Sequence, residues 1–123
     1  MLGIFLHILE VEASWLHYAL QGSPLTDSPS LNPAEFSNFD QLTVLNSEIS
    51  SKTIAILEGL KGQDLSMEVA FRERSGITRR EKEIVLMHAF ADEIAHVGEF
   101  VCLLWQLDVK PPFIDWLDYQ LEG

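Results

Sequence analysis

One long stretch near the C-terminal end most constrains what this chain can fold into. Thr78-Arg-Arg-Glu81 has the pattern of a capping box, in which two side chains satisfy free N–H groups at a helix start. No proline follows until Pro111-Pro112, and Gly98 is the only glycine before Leu107. The two prolines then prevent any continuation. The pattern predicts one long helix, from residue 78 to about Leu107, against which the rest of the chain must pack.

Three metal-ligating residue types share one face of this predicted helix. His88, Asp92 and His96 are spaced four residues apart, so they occupy an arc of roughly 80° on a helix that turns about 100° per residue. The neighbouring positions on that face are apolar, and imidazole and carboxylate groups buried there are costly unless they are paired or bind an ion. First-row divalent metals favour these ligands. The spacing therefore indicates a metal site.

Two further long helices are predicted from apolar residues at intervals of three and four. The first covers residues 3–21, has His7 beside its apolar stripe and ends at Gly22. A loop should cover Ser23 to Asn32, and the sequence Asn32-Pro-Ala-Glu35 predicts a capped turn of helix. The second long helix should begin at Ser37 or Asn38 and end at Gly59 to Gly62.

Residues 64–76 alternate between apolar and polar side chains, as a half-buried strand does. No second strand is evident to pair with it, so we expect an extended crossover that could pair with a second subunit. Phe113 to Leu121 should form a short terminal helix or a packed tail. The predicted fold class is an all-α, up-down bundle of three long helices, in a single domain that covers residues 1–123.

Charge and cysteine content restrict the function. The formal net charge of −11 repels phosphate backbones and anionic lipid surfaces, so we expect neither a nucleic-acid nor a membrane partner. Cys102 is the only cysteine, which excludes an intrachain disulfide and favours a reducing cytoplasm. The apolar start of the chain lacks a basic segment and is interrupted by Glu10 and Glu12, so we expect no signal peptide or membrane span.

A metal held by Asp92 and His96 needs a ligand from another helix, and His7 is the natural candidate. Glu10 and Glu99 are candidate hydrogen-bond acceptors that would orient the imidazole rings. A single histidine on an apolar face is more often a hydrogen-bonded core residue, and this interpretation is favoured for His17 and for His88 taken alone.

Two rival motifs overlap the same residues. Glu93-Ile-Ala-His96 matches an element of di-iron carboxylate bundles, but no second such element occurs in the chain. Asp92 to His96 also looks like a zincin motif whose first histidine is replaced, but no histidine follows His96 to serve as the third ligand. Both interpretations are therefore disfavoured.

Taken together, the motifs resemble the DinB-like superfamily. They are His7-Ile-Leu-x-x-Glu-x-x-Trp15-Leu, then Thr78-x-x-Glu81, then His88-x3-Asp92-Glu93-x2-His96-x-Gly98-Glu99, and finally Pro111-Pro112 with a terminal Asp-Tyr. The resemblance covers most of residues 4–119 and implies a helical bundle, often dimeric, that carries a divalent metal on three histidines. The family's first helix has no counterpart ahead of Met1, which favours a homodimer that supplies the missing helix, or a truncated chain.

Transferred residue by residue, the resemblance places the metal ligands at His7, Asp92 and His96. Asp92 stands where the family usually has histidine; it can still bind zinc, nickel or manganese, or the site has degenerated. If the protein is an enzyme, the resemblance implies metal-activated thiol transfer or hydrolysis, with Glu93 or His88 as a candidate base. The alternatives are a metal-free interaction protein, in which the buried histidine and aspartate pair with each other, and a non-catalytic small-molecule-binding protein.

Overall fold

The computed structural model describes residues 2–111, which form three long helices and one β-hairpin. Helix α1 (Leu2–Glu12) continues without interruption into a π-helical segment (Ala13–Tyr18) and a short 3₁₀ turn (Ala19–Gln21). Helices α2 (Phe39–Gly59) and α3 (Lys82–Gln106) flank the hairpin, whose strands are β1 (Glu68–Glu73) and β2 (Gly76–Glu81). The three predicted helices are confirmed.

The first helical stretch supplies most of the core. Leu6, Leu9, Leu16 and Leu20 are buried along it, at the spacing that one face of a helix requires. It ends at Gly22, which adopts a left-handed conformation with a φ of 75°. A Cβ atom on Gly22 would lie 3.4 Å from the carbonyl oxygen of Ala70, so glycine lets β1 pack closely against this helix end.

Polar caps mark the segments that lead into α2, as the sequence predicted. The side chain of Asn32 accepts a hydrogen bond from the Ala34 N–H, at the start of a 3₁₀ turn over Pro33–Glu35. The side chain of Asn38 accepts one from the Gln41 N–H at the start of α2. These bonds satisfy N–H groups that have no acceptor within the helix. A second 3₁₀ turn, Leu25–Asp27, lies within the predicted loop.

The prediction for residues 64–81 was wrong in two respects. The alternating segment is a strand that pairs within the chain, since β1 and β2 form an antiparallel ladder joined by Arg74 and Ser75. Thr78 belongs to β2 and does not cap a helix; α3 begins at Lys82, where the Glu81 side chain makes no capping hydrogen bond. The N–H groups of Lys82 and Glu83 instead donate to the carbonyl groups of Met67 and Leu65.

The hairpin also corrects the fold class, because the described residues are mostly helical but not all-α. Phe71 of β1 is buried with Leu16, Leu20, Val85 and Ala89 in one core cluster, so the sheet is part of the core. A strand that buries an aromatic side chain against two helices has the packing it needs without a second subunit.

Helix α3 ends before it reaches Pro111 and Pro112, the two prolines that would stop it. Its last helical residue is Gln106, and Asp108 adopts a positive φ of 55°, which terminates the helix before Pro111. The predicted terminal helix or tail, Phe113 to Leu121, lies outside the described residues. No helix within residues 2–111 is long and apolar enough to cross a membrane.

Candidate metal site

Helices α1 and α3 and the π-helical segment enclose a cleft of about 370 Å³. It is the place where the predicted ligands meet. Its lining combines two histidines and two acids with a smaller number of apolar side chains: His7, Glu10, Val11, Ser14, Trp15, Leu25, Asp92 and His96. We call it the histidine cleft.

The two imidazoles of the cleft come from different helices and touch. The ring centroids of His7 on α1 and His96 on α3 lie 4.5 Å apart, and the ring planes are nearly perpendicular at 83°. Asp92 precedes His96 by four residues, so it projects from the adjacent turn of α3. All three residues that the sequence predicted as ligands therefore line the same cleft.

His96 lies between two carboxylates of its own helix. Its Nε2 atom is 3.4 Å from Oδ1 of Asp92, and its Nδ1 atom is 3.3 Å from Oε1 of Glu99. The second approach lacks hydrogen-bond geometry, so the buried Nδ1 has no hydrogen-bond partner among residues 2–111. A buried imidazole nitrogen without a hydrogen bond costs about 1–3 kcal/mol, and it therefore requires an explanation.

Glu10 links His7 to the loop that covers the cleft. One carboxylate oxygen lies 3.5 Å from Nδ1 of His7, while the other accepts a hydrogen bond of 2.6 Å from the Leu31 N–H. A second loop contact joins the hydroxyl groups of Ser14 and Ser28 at 2.8 Å. Glu10 is therefore held by backbone from a distant part of the chain, and it restricts the orientation of the His7 ring.

The π-helical segment determines where Trp15 points. A π-turn inserts an extra residue into the helix and changes the direction of the side chains that follow. The Trp15 indole meets His88 edge-on at 4.4 Å and Phe71 at 5.8 Å, while it also lines the histidine cleft. His88 thus lies against the indole, in a separate cleft on the hairpin side.

Glu93 lies in a third depression, an apolar groove whose other lining residues include Leu16 and Ala89. Burial raises the pKa of the Glu93 carboxyl, and the neighbouring charge of Glu12 raises it further. The two residues predicted as a base, Glu93 and His88, therefore line depressions other than the histidine cleft.

His17 has the environment expected of a core histidine. It is buried, and its Nε2 atom lies 2.8 Å from the hydroxyl oxygen of Thr53 on α2. Burial lowers the pKa of His17, and the positive charge of Lys52 lowers it further. The hydrogen-bonded core interpretation is thus confirmed for His17, whereas His88 is exposed and packs on Trp15.

The donor set of the histidine cleft suits a divalent first-row metal. Two imidazoles and one carboxylate are ligands that zinc, nickel and manganese accept, and His96 carries a buried nitrogen with no hydrogen bond. As the side chains stand, no three His, Cys, Asp or Glu residues between 2 and 111 are grouped closely enough to hold an ion. Metal binding by His7, Asp92 and His96 therefore requires these side chains to move closer together.

The fold and the cleft define a class: a helical bundle with imidazole and carboxylate side chains between its first and last long helices. The chain belongs to the DinB family, whose sequence profile matches residues 1–122. No curated protein matches the chain.

The sequence did not reveal Trp15 as a boundary between two clefts, nor the charged residues of the hairpin that face it. Trp15 fitted the apolar stripe of a regular helix, and nothing in the residues around it indicates a π-turn. The position of β2 carried a weak signal, since Arg74-Ser75-Gly76 at the end of the alternating segment suits a turn between two strands.

Proposed function

We propose that the histidine cleft binds a divalent metal ion, zinc, nickel or manganese, through His7, Asp92 and His96. The observation that carries the proposal is the buried Nδ1 of His96, which has no hydrogen bond among the described residues. Three other side chains of metal-ligating type, His7, Glu10 and Asp92, line the same cleft. A bond from this nitrogen to a metal ion would offset the free-energy cost of burying it without a hydrogen bond.

A metal bound there would lower the pKa of a coordinated thiol or water, which is the chemistry of a thiol transferase or a hydrolase. The surrounding residues support such a role. Glu10 orients His7 from one side, and the indole of Trp15 forms an apolar wall beside the ligands. The cleft volume of about 370 Å³ suits a small molecule. We therefore propose a metal-dependent thiol transferase or hydrolase of the DinB family.

Metal content of the protein purified without a histidine tag tests the proposal. The wild type should contain close to one metal ion per chain, and His96→Ala should lose it. His88→Ala is the matched control, because it removes an imidazole from the same helix but from a different cleft. If His96→Ala and the wild type contain the same small amount of metal, the metal proposal is wrong.

A second candidate function has one observation in its favour. His96 contacts Asp92 at 3.4 Å, an arrangement in which the two side chains stabilise each other without an ion. The cleft would then bind a small molecule without catalysing a reaction. Turnover of a thiol-conjugation substrate, measured with and without added metal, separates the two functions: metal-dependent turnover excludes the non-catalytic candidate.

We further propose that the protein is a cytoplasmic homodimer. Met87 and Ile94 of α3 are 67% and 50% exposed, and they border the apolar groove that contains Glu93. Exposed apolar side chains grouped on one helix face are typical of an interface. Light scattering after size-exclusion chromatography should give a dimer mass, and Met87→Glu should give a monomer. A monomeric wild type would contradict the dimer. Cys102, a free and exposed thiol, accords with a reducing compartment.

A further inference from the structure

Trp15 also lines a second cleft, between the β-hairpin and α3. Its volume is about 210 Å³. Trp15 and Phe71 form aromatic walls, and Ile84 and Val85 of α3 add aliphatic surface. We call it the hairpin cleft. The metal function proposed for the histidine cleft does not involve the hairpin cleft.

The polar side chains of the hairpin cleft come from the inner face of the hairpin. Residues directly opposite each other in an antiparallel ladder point to the same side, and Phe71 is opposite Thr78. Since side chains alternate along a strand, Glu73 and Arg80 lie on the same face of the hairpin as Phe71. All four residues line the cleft, together with His88 of α3.

The two charged residues on this face are not enclosed by the core. Glu73 is half-buried and Arg80 is exposed, while Ile77, on the outer face, is 64% exposed. Both charged groups are therefore accessible to a ligand from solvent, beside the buried ring of Phe71.

The strand register keeps the two charges apart, since Arg80 is opposite Val69, four residues from Glu73. Within residues 2–111, Glu73 and Arg80 form no ion pair with each other or with a third residue. The Thr78 hydroxyl donates a hydrogen bond to Oε2 of Glu73, which fixes the carboxylate and leaves Oε1 available. Nη1 of Arg80 donates to the Arg79 carbonyl group at 2.7 Å, so the other guanidinium donors remain available.

The hairpin is also basic within an acidic protein. All four arginines of the chain lie between residues 68 and 81, along with three glutamates, although the whole chain has a formal charge of −11. An anionic group that approaches the protein is therefore attracted to this region and repelled elsewhere. Inside the cleft, however, Glu73 repels an anion that carries no compensating positive charge.

We propose that the hairpin cleft binds a small zwitterion, namely a free α-amino acid with an apolar side chain. Its carboxylate pairs with the guanidinium of Arg80, its ammonium group pairs with the carboxylate of Glu73, and its side chain packs between Trp15 and Ile84. A zwitterion satisfies both unpaired charges, whereas a simple anion or cation satisfies one and opposes the other. The site goes beyond the proposed metal function and does not depend on it.

Calorimetric titration of the full-length protein with L-leucine tests the proposal. EDTA is present throughout, so that an amino acid chelated by metal in the histidine cleft cannot produce the signal. The expected dissociation constant is below about 1 mM. L-leucinamide, which lacks the carboxylate, and 4-methylpentanoate, which lacks the ammonium group, should each bind at least about tenfold more weakly. Equal binding of either analogue, or no heat with L-leucine at millimolar concentration, would overturn the proposal.

The hairpin offers a matched control for each charge. Arg80→Gln and Glu73→Gln should each weaken L-leucine binding at least about tenfold. Arg79→Gln and Glu68→Gln remove the same charges from the outer face of the same strands and should leave the affinity unchanged. Thermal unfolding of all four variants identifies any that fail to fold; for such a variant the two analogues, titrated into the wild type, give the answer. Equal losses in inner and outer variants would overturn the assignment.

Discussion

The histidine cleft and the hairpin cleft share the indole of Trp15 but are built in different ways. In the first, His7, Asp92 and His96 project from two helices, and carboxylates of the same helices contact the imidazoles. In the second, a hairpin presents Glu73 and Arg80 toward α3, and their charges stay unpaired. In the histidine cleft the charged side chains contact one another and one buried nitrogen of His96 is left without a hydrogen bond, whereas in the hairpin cleft Glu73 and Arg80 form no ion pair within residues 2–111.

The largest effect on stability is expected from replacing Phe71, which packs the hairpin into the core cluster. Phe71 is 3% exposed, and Phe71→Ala should lower the free energy of unfolding by about 3–5 kcal/mol because it removes a buried ring and leaves a cavity. Ile77→Ala, on the outer face, should cost less than about 1 kcal/mol. Urea denaturation measures both. Equal costs would show that the hairpin does not pack as a part of the core, and the two clefts would no longer be comparable.

The two clefts also differ in how far the sequence predicts them, because one is built on helix faces and the other on paired strands. Spacing along one helix determines which residues share a face, so Asp92 and His96 could be grouped without knowledge of the tertiary fold. His7 required an assumption about which helices are neighbours; its position beside the apolar stripe of the first helix suggested it, and the family resemblance agreed. Glu73 and Arg80 lie on one face of the hairpin but not opposite each other, and their common face depends on a strand register that the predicted capping box at Thr78 did not allow.

His17 is a buried imidazole that has a hydrogen bond, so it can be compared with His96, whose buried Nδ1 has none among the described residues. Thr53→Val should lower the free energy of unfolding by about 1–3 kcal/mol, because it leaves Nε2 of His17 buried without its partner. Thr43→Val removes an exposed hydroxyl from the same helix and should cost less than about 1 kcal/mol. Chemical denaturation compares the two. If the costs are equal, an unpaired imidazole is cheap in this protein, and the argument for metal at His96 loses its basis.

Within the histidine cleft, the contact between Glu10 and His7 can be tested alone. Glu10→Gln keeps an oxygen acceptor for the Leu31 N–H but removes the negative charge beside the imidazole, and zinc affinity should fall by about tenfold. Glu12→Gln removes the same charge from a neighbouring position that does not line the cleft. Competition with a chromogenic chelator gives both affinities. An unchanged affinity in Glu10→Gln would mean that this carboxylate has a role in the loop only.

The smallest effect concerns pH. The pKa of His17 is lowered in the folded protein, so between this value and the ordinary 6.5 the unfolded chain binds more protons than the folded one. The contribution of neutral His17 to the free energy of unfolding is therefore fully present above pH 6.5. It is lost as the pH decreases from 6.5 through the lowered pKa. Lys52→Gln removes the second cause of the shift and should reduce this slope. Thermal unfolding between pH 5 and 8 measures it; an identical slope in Lys52→Gln would contradict the assignment to Lys52.

The π-helical segment from Ala13 to Tyr18 sets the rotational phase between the two ends of the first helical stretch. A single extra residue rotates everything upstream of it by about 100° relative to everything downstream. Deleting one residue there would restore a regular helix, but it would swing His7 around the axis and out of the histidine cleft while Leu16 and Leu20 kept their places. We therefore expect a one-residue deletion in this segment to disrupt the histidine cleft more than a conservative substitution there does.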